Sequence, residues 1–191
     1  MAALSQLVFA ADYSCNRAGT EISSTGKMVL EAAVQYVLYT APPDAMLCYC
    51  GVDVPGSGMN PRQHLERKDR IVAECTMSPS EHLRITACSS IEEAVNTKDR
   101  LRLYNVEPES IVVFCEWWHS WRVGLIWRHV FPGCHIRIIT NEHVPGDDFN
   151  HPRMRSRAQW IAYNIAALVP TVLWLCGWNG AAKIAQPTKA S

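Results

Sequence analysis

A histidine and an arginine three residues apart follow the apolar run Ile111 to Cys115 in the segment IVVFCEWWHSWRVGL. If a helix begins where that run ends, positions i and i+3 put His119 and Arg122 on one face of its first turn. There the guanidinium offers a fork of donors and the helix N-terminus adds partial positive charge, so the pair can hold an anion. His119 can also act as a general acid or base, because imidazole titrates near neutrality. A structural account of the same residues is an arginine paired with a carboxylate and a histidine that caps a turn.

Three further groups lie just after apolar runs. Ser90, Glu92 and Glu93 follow Leu83 to Cys88, Asp12 follows Leu7 to Ala11, and Gly51 and Asp53 end or follow Ala45 to Val52. Glu93, or alternatively Asp12, is the candidate catalytic partner of His119, and Asp12, Gly51, Asp53, Ser90 and Arg122 are candidate ligand contacts. Each also has a local role to offer. Acids are favoured in a helix's first turn by the macrodipole, serine is a common N-cap, and aspartate forms turns. The seven histidines show no His-x-x-x-His spacing, and Cys48-x-Cys50 lies within one strand with both side chains on one face, so no metal site is read here. The eight cysteines are dispersed and mostly inside apolar runs, as buried free thiols are. Trp117, Trp118, Trp121 and Trp127 cluster around His119; the adjacent Trp117 and Trp118 must point in different directions, so at least one belongs to a cleft or an interface.

The elements that must position these residues alternate. Short buried runs at Leu7 to Ala11, Ala45 to Val52, Leu83 to Cys88, Ile111 to Cys115 and His135 to Thr140 read as strands. Helical spacing fills the gaps, over about Gly26 to Tyr39, Gln63 to Met77, Ser90 to Tyr104 and Trp117 to Val130, and again from about Arg153. Strands separated by helices of this length imply βαβ crossovers and a parallel sheet. The expected fold is therefore α/β, a three-layer α/β/α Rossmann-like domain with a mainly parallel sheet of about five strands. It covers residues 1–178, followed by a frayed tail, 179–191. In such a sheet ligands collect beyond the carboxyl ends of the strands, where all the candidate residues above would fall.

The strand, turn, His119-x-x-Arg122 and helix sequence resembles the "HxxR" element of the YdcF/SanA/ElyC family, in which a histidine and an arginine sit at the ligand end of a late strand. ITACSSIEEAVNTKDRL is similar to that family's second signature, with Ser89, Ser90, Glu92, Glu93 and Ala94 in the matching places. KDRIVAE resembles the helix that contributes a family glutamate, which makes Glu74 the matching ligand-binding position. The resemblance spans roughly residues 5 to 160. It departs from the pattern at the first turn, AADYSCNRAG, which lacks an immediate glycine, and before His119, where Glu116-Trp117-Trp118 replaces a serine-bearing turn. The family implies a Rossmann-type domain, and envelope-related roles are associated with several of its members.

Composition narrows the partners. Eighteen basic and eighteen acidic residues cancel, so no overall field draws in nucleic acid. The N-terminus lacks a basic n-region and meets Asp12 early, which points to a cytoplasmic protein. Gln159 to Trp178 carries no charge over a length that spans a bilayer, with Arg153, Arg155 and Arg157 before it. Gln159, Asn164, Pro170 and Thr171 dilute it, and the fold needs a last helix over one sheet face. A packed helix bent or interrupted at Pro170 is the expectation, and a membrane-associated anchor is the alternative. The functional expectation is a YdcF-like domain that binds or processes a small anionic ligand, nucleotide-like or a polyprenyl or sugar phosphate. The alternatives are a non-catalytic nucleotide- or S-adenosylmethionine-like binding module and a membrane-associated interaction protein. No cofactor follows from the sequence.

Overall fold

Strand and helix alternate through the computed structural model, which describes residues 2–12, 15–16, 18–52, 58–76, 82–141 and 157–178. In chain order the elements are β1 (Ala2–Ala11), α1 (Ser24–Tyr39), β2 (Met46–Val52), α2 (Pro61–Cys75), β3 (Leu83–Ala87), α3 (Ser90–Leu103), β4 (Val106–Glu116), α4 (Trp117–Val130), β5 (His135–Asn141) and α5 (Arg157–Leu175). The five strands form one sheet in the order β3-β2-β1-β4-β5, and every pairing is parallel. This is the expected three-layer α/β/α architecture. The predicted tail, 179–191, lies outside the described residues.

Burial follows from position in the sheet. Leu7 to Ala11 of β1 and Ile111 to Cys115 of β4 are nearly inaccessible throughout, as strands covered on both faces must be. The edge strand β3 alternates, with Leu83, Ile85 and Ala87 buried and Arg84 and Thr86 exposed. Successive residues then feed two separate cores. Val8, Ala10, Leu47, Tyr49, Val112 and Phe114 pack with Val29, Leu30 and Val34 of α1 and Ile71 and Val72 of α2. Leu7, Phe9, Cys48, Cys50, Ile111 and Val113 pack on the opposite face with Ile91, Ala94 and Leu101 of α3 and Val123, Ile126 and Trp127 of α4.

β1 and β4 are longer than their apolar runs. They pair from Ala2↔Val106 to Ala11↔Cys115, through polar positions that periodicity alone leaves out. Two hydrogen bonds link those positions across the strands: Gln6 Nε2 donates to Ser110 Oγ at 3.1 Å, and Ser110 Oγ donates to the Ser5 carbonyl at 3.1 Å.

The chain moves from β1 out to β2 and β3 on one side, then crosses to β4 and β5 on the other. The reversal between β1 and β4 is the topological switch point, where open α/β sheets leave a crevice at the carboxyl edge. The crossover through α3 also changes face, so α3 and α4 are neighbours over one side of the sheet.

The last segment packs on the domain as a helix, as expected, but on a different partner. It does not cover a sheet face; it packs on α4, where His129 meets Trp174 edge-on with ring centroids 4.9 Å apart. Nor does Pro170 interrupt it, since the helix runs on to Leu175, with Thr171 Oγ1 donating to the Ala167 carbonyl at 2.8 Å. Its polar residues Asn164 and Thr171 are buried, while Ile161, Ile165, Val169 and Val172 are exposed along one side. Among the described residues no helix is long and apolar enough to cross a membrane. All eight cysteines are free.

Candidate functional site

Ser90, Glu93, His119 and Arg122 are carried to the carboxyl edge by two helices, α3 and α4, that begin there. In α3 the buried residues are Ser90, Ile91, Glu93, Ala94, Thr97 and Leu101, a helical stripe that starts in the first turn. Ser89 caps that turn by accepting from Glu92 N–H at 3.2 Å, and its carbonyl accepts from Glu93 N–H at 2.9 Å. The N–H groups of Ser90 and Ile91, at the first two positions, are left without an intrahelical bond. In α4, Arg122, Val123, Ile126, Trp127 and Val130 are buried in the same manner. Arg122 heads this stripe, where the core meets the edge. No side chain caps α4.

These two stripes bring together residues from separate signatures. Ser90 Oγ lies 3.1 Å from His119 Nε2, and Arg122 Nη2 lies 2.7 Å from the same nitrogen. A guanidinium can only donate, so Nε2 must carry a lone pair and Ser90 O–H must donate to it as well. The imidazole is therefore neutral, with its proton on Nδ1. Burial, and then the positive charge of Arg122, hold the His119 pKa well below its ordinary value, which agrees with that tautomer. Arg122 itself is only 8% exposed, and its Nε is buried without an acceptor among the described residues. Sequence reasoning placed His119 and Arg122 together; that Ser90 joins them is decided by the packing of α3 on α4.

Glu93, one turn after Ser90, is fully buried and faces the sheet. It raises the pKa values of the Cys48, Cys50 and Cys115 thiols, after the larger effect of their burial, which puts its carboxylate near the ends of β2 and β4. Asp12 follows β1 as expected and is also buried. Its Oδ2 is 3.7 Å from Lys68 Nζ, and Lys68 donates to the Asp12 carbonyl at 3.0 Å, with side-chain exposures of 0% and 1% for Lys68 and Asp12.

Gly51 has a packing reason for its identity. A Cβ there would lie 2.2 Å from the Pro61 carbonyl oxygen, so its missing side chain lets the start of α2 close over the end of β2. Glu74 is set apart from the other candidates. It lies in the last turn of α2, six residues or about 9 Å of helix rise beyond Lys68, and its exposed carboxylate is 4.0 Å from Lys27 of α1. Asp53 lies outside the described residues. Beside the first turn of α3, Thr86, Ala87, Cys88, Glu92, Asn96 and Asn60 line an open groove of about 570 Å³. Glu92 braces its floor by accepting from Cys88 N–H at 2.7 Å. Trp117 and Trp121 near His119 are exposed, whereas Trp127 is core, against Phe9 and Phe131.

Comparison with protein-family models, with curated proteins and with solved structures gives no match to this chain. The site is thus defined by its own geometry.

Two buried polar residues escaped the sequence reading. His64 and Lys68 of α2 are both fully buried, and His64 Nδ1 accepts from Val52 N–H at 3.4 Å. The signal was present in the spacing: stepping back from Ile71 and Val72 by three or four residues reaches Lys68, and by four more His64. Both are masked by neighbours such as Arg62, Glu66 and Arg67, which make the helix look solvated. Among the described residues no group of three or more His, Cys, Asp and Glu side chains is arranged to hold a metal ion.

Proposed function

We propose that this protein is a divergent YdcF-like domain of the cytoplasm that binds or processes a small anionic ligand at the carboxyl edge of its sheet. One observation carries the reading. A buried guanidinium, Arg122, with an Nε that has no acceptor among the described residues, is hydrogen-bonded to His119, which pairs with Ser90 in the first turn of α3, where the leading N–H groups lack intrahelical partners. Guanidinium, hydroxyl and helix N-terminal amides together suit the oxygens of a phosphate or carboxylate. The resemblance of the Ser90 and His119-x-x-Arg122 segments to the YdcF/SanA/ElyC family points to nucleotide-like or polyprenyl or sugar phosphates, within an envelope-related role. The neutral overall charge argues against nucleic acid as the ligand.

A ligand that binds the folded protein must raise its melting temperature. Thermal melts across inorganic phosphate, nucleotides, sugar phosphates and prenyl phosphates should find at least one that stabilises. Arg122→Ala should then weaken its binding by about 1.5–3 kcal/mol, or roughly 10–150-fold in Kd. Absence of stabilisation by every phosphate compound would remove this reading.

A second reading, attachment to a lipid surface, is favoured by α5, which exposes Ile161, Ile165, Val169 and Val172 on one side of a helix that carries no charge after Arg157. Flotation of the full chain with anionic vesicles tests it. Flotation that persists when Ile165 and Val169 are both replaced by serine rules that face out.

A further inference from the structure

A serine hydroxyl that donates to a neutral imidazole is the ground state of a nucleophile and its base. We propose that Ser90 is a nucleophile with His119 as its base, and that the site transfers the phosphoryl group of an anionic phosphate ester through a phosphoserine intermediate. The inference rests on the reading of this edge as an anion site and adds a reaction to it.

Three observations converge on Ser90. Its Oγ is within hydrogen-bond distance of His119 Nε2, 3.1 Å, and the donor-only chemistry of Arg122 fixes the direction of that bond from oxygen to nitrogen. It stands directly after β3 at the first position of α3, so a group bonded to Oγ faces the N–H groups of Ser90 and Ile91. Arg122 is more than nine-tenths buried, and its Nε has no acceptor among the described residues, so the guanidinium has donor capacity that an incoming oxyanion can use. A mere structural bridge between α3 and α4 would not need a guanidinium with an unused buried donor.

The same arginine gives the site an order of events. In the ligand-free state Arg122 shares the Nε2 lone pair with Ser90 and weakens the imidazole as a base. An arriving phosphate draws the guanidinium onto its own oxygens, and the lone pair becomes available to Ser90 alone. The Ser90 Oγ–P bond then forms as the ester P–O bond breaks. The Ser90 proton passes to His119 Nε2 and from there to the departing oxygen. In the second half a water oxygen bonds phosphorus as the Oγ–P bond breaks. One water proton moves through His119 back to Ser90, which leaves inorganic phosphate and the starting enzyme. Arg122 and the α3 amides carry the charge that builds on the transferring oxygens.

The test uses the full chain and two probes. Diisopropyl fluorophosphate is uncharged and reports the nucleophile without requiring the anion site; p-nitrophenyl phosphate reports the complete reaction. The expected result is a single diisopropylphosphoryl group that peptide mapping locates on Ser90, with labelling slowed by excess inorganic phosphate. His119→Ala should slow both labelling and turnover by about 10²–10⁴-fold. Arg122→Ala should slow p-nitrophenyl phosphate turnover by about 10²–10³-fold while leaving labelling intact or faster. Labelling of the wild-type chain with phosphate protection does not depend on any variant folding. No adduct at Ser90, or labelling unchanged in a folded His119→Ala variant, overturns the nucleophile. Ser90-dependent cleavage of p-nitrophenyl acetate with none of the phosphate overturns the phosphoryl assignment. Phosphate stabilisation in thermal melts without any adduct sinks this inference alone; absence of both sinks the anion site beneath it.

Discussion

Replacing Lys68 by methionine removes a charge at a point where the fold has sealed two of them together. Lys68 Nζ and Asp12 Oδ2 are 3.7 Å apart with side-chain exposures of 0% and 1%, and Nζ also donates to the Asp12 carbonyl. At an effective dielectric constant of about 20, that separation corresponds to about 4.5 kcal/mol of attraction. Methionine has nearly the same length and shape, so the loss is of charge and hydrogen bonding rather than of volume. The carboxylate it leaves behind is buried, and breaking such a pair from one side costs about 3–5 kcal/mol. With a urea m-value of about 2 kcal/mol/M, the unfolding midpoint should fall by about 1.5–2.5 M. That is a large part of the 5–15 kcal/mol a domain usually has. Asp12→Asn should cost a similar amount, and the double variant clearly less than the two combined, because it leaves no lone buried charge. A loss below about 1 kcal/mol for Lys68→Met, the range of exposed pairs such as Arg62–Glu66, would refute the claim that this pair is desolvated. So would additivity in the double variant.

Other outcomes follow from particular contacts. Gly51→Ala should destabilise by about 1–3 kcal/mol in thermal or urea unfolding, because its Cβ would meet the Pro61 backbone oxygen at 2.2 Å and α2 must move; a neutral result would mean α2 is loosely seated. His119 and His82 both have pKa values lowered by burial first and by a neighbouring arginine second. Below about pH 6.5 the unfolded chain takes up protons that the folded chain refuses, so stability should fall with pH, by at most about 1.4 kcal/mol per pH unit for each histidine. The fall ends where the folded groups themselves titrate, and stability that is flat from pH 7 to 5 would contradict the neutral His119 ring. In Arg122→Ala, NMR titration should find the His119 pKa raised but still under the ordinary value, since burial, the larger cause, remains. Burial pushes the Cys15 thiol up to about 11 and Cys115 up to about 12, and raises Cys48 and Cys50 as well. Alkylation of the folded protein near pH 8 should therefore reach exposed Cys176 first and these four only on unfolding; rapid native labelling of Cys48 or Cys50 would show that the strand ends open.

The alternation of buried runs and helical spacings was sufficient to derive the fold class, because the inner strands of a doubly covered parallel sheet must be apolar on both faces and helix-length segments between strands imply parallel crossovers. Trp117–Val130 was legible to the residue, and with it the placement of His119 and Arg122 on one turn. The strand order β3-β2-β1-β4-β5 was not, since a crossover of given length can lead to either neighbour. That order decides the site. Ser90 and His119 are 29 residues apart and belong to different βα units, and they touch only because the β3-to-β4 crossover sets α3 beside α4 with both first turns at one edge. The same limit hid His64 and Lys68, whose helix reads as solvated until β1 and β2 end beside it. It also hid the orientation of α5, where Asn164 and Thr171 face inward while Ile161, Ile165, Val169 and Val172 face outward. Periodicity along one chain reports which residues share a face, but what that face meets depends on elements distant in sequence. Sequence therefore determined the strands, the helices and the edge at which chemistry could occur, and tertiary packing alone decided that a serine, a histidine and an arginine meet there.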